Sequence, residues 1–102
     1  MYLIQLTYTV PLKELDKHLQ AHRSFLADYY AQGLLVMSGP LNPRTCGLII
    51  AVHMPRDQLE TIIQQDPFYQ AKVATYQIQE FSPIKHCSAL KEFIQSTEPS
   101  LC

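Results

Sequence analysis

His22 and Asp66 are two ionisable residues of this chain that fall where apolar side chains are expected. In HLQAHRSFL (18–26), His22 lies three residues after Leu19 and three before Phe25. It sits inside the stripe Leu15, Leu19, His22, Phe25, Leu26, Tyr29, whose spacing predicts one helix of about five turns after Pro11. Asp66 lies seven residues after Leu59 and three after Ile63, on the buried side of a second helix, PRDQLETIIQQ. A helix C-terminus carries partial negative charge, so a carboxylate there gains nothing from the dipole and needs a hydrogen-bond donor. Held together, the two would form a general acid or base, because a carboxylate fixes the tautomer of its histidine. Each also has a plainer reading: a hydrogen-bonded core histidine, and a turn started by Asp-Pro. Periodicity alone leaves both open.

The other reactive types are less pointed. Ser38, Gly39 and Pro40 end a strand, where glycine permits close backbone approach and proline fixes the exit. The same three residues also suit an ordinary turn, and no Ser-His-Asp order calls for a nucleophile. Cys46 precedes Gly47 in a loop without a motif that would activate a thiol. His18 and His22 form HxxxH on one helix, but two ligands are too few for a catalytic ion; His53 and His86 lie on other elements, Glu60 is expected in water, and no HExxH occurs. We therefore expect no metal and no cofactor, with His18 at the surface edge of its stripe.

The elements that must position these residues follow from periodicity. YLIQLTYTV (2–10) alternates Tyr2, Ile4, Leu6, Tyr8 and Val10 against Gln5, Thr7 and Thr9, as a strand does. Gly33 is a helix C-terminal cap, LLVMS (34–38) a short strand, and GPLNPRTC a stiff loop. GLIIAVHM (47–54) is a further strand, and Pro55 opens the second helix. TYQIQEFSPI alternates until Glu80, where a bulge or bend is expected, and SALKEFIQS forms a short amphipathic helix. The order β-α-β-β-α-β with a terminal helix is the α+β, ferredoxin-like split βαβ pattern, with both helices on one sheet face. Inward groups of the two helices can then meet at one end of the sheet. The uncovered face favours a homodimer. We place one domain at 1–95 and a flexible tail at 96–102.

Composition narrows the partners. Eight Lys and Arg against nine Asp and Glu give a net charge of -1, which sets up no field for nucleic acid or an anionic membrane. No apolar run is long enough for a spanning helix, and the N-terminus does not resemble a signal peptide. Three widely spaced cysteines, Cys46, Cys87 and Cys102, suggest reduced thiols and a cytoplasmic protein.

The ordered motifs HRSFL (22–26), GLLVMSGPL (33–41) and DPFYQA (66–71) resemble the YciI-like (YCII-related) family over roughly residues 1–85. The resemblance implies a ferredoxin-like dimer with a His/Asp-centred active site, which would be His22 and Asp66 here. It further implies small enzymes of ring degradation, such as muconolactone isomerases and a dehydrochlorinase of chlorinated hydroxyhydroquinone. Their shared theme is cofactor-free proton transfer of isomerase or lyase type on a small cyclic substrate. Ser38, Gly39 and Pro40 would then help hold that substrate, and Tyr8 and Phe68 would line its pocket. The alternative is a non-enzymatic dimeric module that only binds or presents a small molecule. Where the family commonly continues DPFxxAG, this chain has Lys72 in place of glycine, so the turn or the pocket wall there is expected to differ.

Overall fold

The alternation of YLIQLTY builds the strand at the centre of the sheet. In the computed structural model, which describes residues 1–94, β1 (Tyr2–Tyr8) pairs antiparallel with β3 (Cys46–Ala51) on one side and β4 (Ala74–Glu80) on the other. β2 (Leu35–Pro40) joins the far side of β3, giving the order β2-β3-β1-β4. The proposed tail 96–102 lies outside the described residues. Tyr2, Ile4 and Leu6 turn one face of β1 into the core, where they meet Ile49 and Ala51 of β3 and the helices above. This is the ferredoxin-like α+β arrangement. Among the described residues no helix is long and apolar enough to cross a membrane.

The first crossover is not one helix of five turns. It divides into α1 (Leu12–Asp16) and α2 (Leu19–Ala31), with His18 between them at φ −108° and ψ 1°. Lys17 and His18 donate to the carbonyls of Glu14 and Leu15, a tightened turn between the two helices. The spacing of threes and fours runs on through such a turn, so periodicity does not register it. Gly33 ends α2 at φ +75°, where Leu34 N–H reaches the Tyr29 carbonyl.

The second crossover is α3 (Arg56–Gln64) followed by a single turn, α4 (Pro67–Gln70). Lys72 follows α4 in the left-handed region, at φ +59°. Val73 N–H bonds to the Phe68 carbonyl and Lys72 N–H to that of Tyr69, which is the Schellman closure of a helix end. The turn thus keeps the conformation that favours glycine and forces a lysine into it. Lys72→Gly is expected to stabilise the fold by about 1 kcal/mol by relieving that strain. Thermal unfolding should show a rise of roughly 4–8 °C; an unchanged or lower midpoint would mean the lysine carries no strain.

Two further expectations are corrected. The β1–β4 ladder runs regularly to Tyr2 opposite Glu80, because Glu80 simply faces water at the end of the strand. The irregularity is in β2 instead, where Leu35 opposes Ala51 but Met37 opposes Ile50. One extra residue reverses the facing of everything beyond it. Ser38 thereby comes to lie opposite Ile49, on the helix side of the sheet, and Met37 turns to the outer face, where it is 53% exposed. The segment 88–93 is a 3-10 helix (Ser88–Phe93) with no fully buried residue, and not an α-helix. So short a segment has too little packing to hold an α-helix by itself.

Candidate active site

His22 lies near the N-terminal end of α2, only 8% exposed, with its ring flat against Phe68 at a centroid distance of 3.9 Å and an interplanar angle of 3°. Its Nδ1 is 2.8 Å from Asp66 Oδ1. Asp66 is 1% exposed and both its oxygens are engaged. Phe68 N–H donates to Oδ1 at 2.9 Å and the Tyr76 hydroxyl donates to Oδ2 at 2.7 Å. A carboxylate so placed only accepts, so His22 carries its proton on Nδ1 and presents the Nε2 lone pair. Among the described residues no fully buried side-chain nitrogen or oxygen lacks a partner. Nε2 has no protein partner among the described residues, so it is accessible, and His22 lines the adjoining cavity.

Asp66 is positioned differently from the expectation of a carboxylate stranded at a helix C-terminus. The chain turns at Asp66-Pro67, and Asp66 is the N-cap of α4, with its carboxylate on the Phe68 N–H. The Asp-Pro turn and the histidine partner are thus one conformation, since the turn aims the carboxylate at α2. Asp66 does not line the cavity. It meets the imidazole at Nδ1, and His22 is the member of the pair that lines the cavity.

Tyr76, on β4, had no signal in the sequence beyond its inward register. Burial, and then the Asp66 carboxylate beside it, push its phenol far above the ordinary 10.0, so it remains a donor. Tyr76→Phe leaves Oδ2 without that donor and is expected to cost about 1–3 kcal/mol in denaturant unfolding. The native state holds the Tyr76 proton more tightly than the unfolded chain does. Its contribution is therefore complete below the unfolded value of about 10 and falls as pH rises above it. Unfolding followed above that pH should be less pH-dependent in Tyr76→Phe; equal slopes would refute the buried donor.

The cavity in front of His22 has a volume of about 470 Å³. Tyr8 and Phe68 supply aromatic walls, their rings edge to face at 6.4 Å. Ser38, Gly39 and Pro40 form the rim on the β2 side, brought there by the bulge. Ser38 Oγ is 2.6 Å from the Tyr30 hydroxyl. Gly47, on β3, leaves room for Tyr8, since a Cβ there would lie 3.0 Å from the Tyr8 hydroxyl oxygen. Burial raises the Tyr8 phenol, and the Arg44 charge offsets part of that rise.

Three charged lining residues were not anticipated: Asp16, Arg23 and Arg44. Arg44 sits in the stiff loop after Ser38-Gly39-Pro40, and its place there was the available signal. The remaining candidates lie elsewhere. His18 is half-buried at the α1–α2 junction and outside the cavity, His53 Nε2 is 2.9 Å from the Glu92 carbonyl oxygen, and His86 is exposed. Cys46 places its sulfur near Gln5, Thr7 and Thr45, on the other face of the sheet. Among the described residues no three His, Cys, Asp or Glu side chains are grouped to hold a metal ion.

A family model for the YCII-related domain matches residues 1–82, and the chain belongs to that family. Its fold is similar to that of 5-chloro-2-hydroxyhydroquinone dehydrochlorinase (TftG) from Burkholderia phenoliruptrix AC1100, solved in complex with 2,5-dihydroxybenzoquinone. The two share 18% sequence identity and a TM-score of 0.67, over 87% of this chain and 98% of the other. No curated protein matches the chain.

Proposed function

We propose that the cavity carries out cofactor-free proton transfer, of isomerase or lyase type, on a small cyclic intermediate of ring degradation. The observation that carries this reading is the pairing of a buried carboxylate with His22 Nδ1 while Nε2 faces the cavity. Nε2 takes a proton from a ring carbon acidified by a neighbouring carbonyl, and Asp66 stabilises the imidazolium that results. In an isomerisation the proton returns to another carbon of the same system. In an elimination the C–H electron pair becomes a C=C bond as the leaving group departs with its own pair. TftG, a dehydrochlorinase of similar fold, supports the elimination form. The test is exchange of ring C–H for deuterium in D2O, followed by NMR over a panel of lactones and hydroxylated quinones. Exchange that depends on His22 is the expected result. Binding without exchange would sink the reading in favour of a module that only holds its ligand.

We also infer a homodimer built on the outer sheet face. Met37, Leu48 and Ile50 line a shallow groove of about 270 Å³ there, a surface suited to a second copy. Light scattering should give twice the chain mass, reduced to one chain mass in Leu48→Glu; a monomeric wild type would contradict it.

A further inference from the structure

The cavity carries two guanidinium groups that the proton transfer does not use. Arg44 reaches in from the loop between β2 and β3, and Arg23 from α2, one residue beyond His22. Arg44 is paired with Asp16, whose Oδ1 it meets through Nη2, and the two side chains are 32% and 47% exposed. One carboxylate oxygen occupies only part of the five N–H donors of a guanidinium. Asp16 is also the only carboxylate lining the cavity among the described residues, so, His22 apart, the wall bears two positive charges against one negative. The rest is apolar and aromatic: Leu6, Leu26 and Phe68 beneath, with Tyr8 beside Arg44. Such a wall suits a flat ring with an anionic oxygen at its edge.

We propose that the cavity selects ring compounds bearing an ionised oxygen substituent, enolate or carboxylate, and that Arg44 is the specificity residue that reads this charge. The inference rests on the reading of the cavity as a substrate site. It also fits the chemistry, because the charge that spreads onto ring oxygens as a C–H proton leaves has the same sign as the charge that Arg44 binds. Arg44 therefore favours both the bound ion and the transition state.

Calorimetric titration at pH 7 tests it, with 2,5-dihydroxybenzoquinone as the ionised probe and hydroquinone as a neutral ring of similar size. The wild type is expected to bind the anion at least about tenfold more tightly than hydroquinone, and Arg44→Gln to lose about tenfold for the anion alone. Asp16→Asn removes the one negative charge and is expected to tighten anion binding severalfold, a gain that a damaged fold would not produce. Equal losses for both ligands, an unchanged affinity in Arg44→Gln, weaker anion binding in both variants, or no anion binding by the wild type would each overturn the proposal. Binding needs no turnover, so this result stands apart from the deuterium-exchange test of His22.

Discussion

Asp66→Ala is expected to destabilise the protein by roughly 3–6 kcal/mol, because it strands three donors at once. Phe68 N–H, the Tyr76 hydroxyl and His22 Nδ1 all converge on this one carboxylate, in a site that is 1% exposed. Each unsatisfied buried group costs about 1–3 kcal/mol, and a domain's whole stability is of the order of 5–15 kcal/mol. The variant should therefore unfold at much lower denaturant, and a midpoint near that of the wild type would show that the network does not hold α4 to α2 and β4. Asp66→Asn separates hydrogen bonding from charge. Its amide oxygen can still accept from Phe68 and His22, and its NH2 can donate to the Tyr76 oxygen, which can reverse its role. Stability should fall by only about 1 kcal/mol, while exchange activity falls about a hundredfold or more, because no anion then supports the imidazolium. A variant with wild-type exchange would remove Asp66 from the mechanism.

His22→Ala has the larger effect on chemistry. Loss of a general base is expected to slow ring C–H exchange by a factor of about 10²–10⁴. The ring stacks on Phe68 at 3.9 Å, so its removal leaves a flat gap open to the cavity, next to a carboxylate that still accepts. Added imidazole fits that gap and should restore part of the exchange rate, which a merely structural histidine would not allow. Exchange at the wild-type rate in His22→Ala, or rescue by amines that cannot stack, would end the assignment.

These two variants also show how the plain and the functional readings of the same residues are related. His22 is a packed, hydrogen-bonded core histidine, and Asp66 does begin an Asp-Pro turn. Neither fact competes with a site. Packing against Phe68 fixes the plane of the imidazole, and the turn aims the carboxylate that fixes its tautomer.

The sequence by itself determined the order of strands and crossovers, the inward faces of β1, α2 and α3, and the two polar misfits at His22 and Asp66. Those are consequences of local period, which a chain of 102 residues displays along its length. It also displayed the Lys72 substitution, though not that the turn would keep its left-handed backbone and absorb the strain. Only the tertiary structure decided that residues 44 apart in the chain would meet at 2.8 Å, and that Tyr76 would complete their network from a third element. The one-residue bulge of β2 settled which way Ser38 faces, and the tertiary arrangement set Arg44 at the cavity, paired with Asp16 of α1. Such contacts depend on where whole elements lie against one another, and sequence spacing carries no record of that distance.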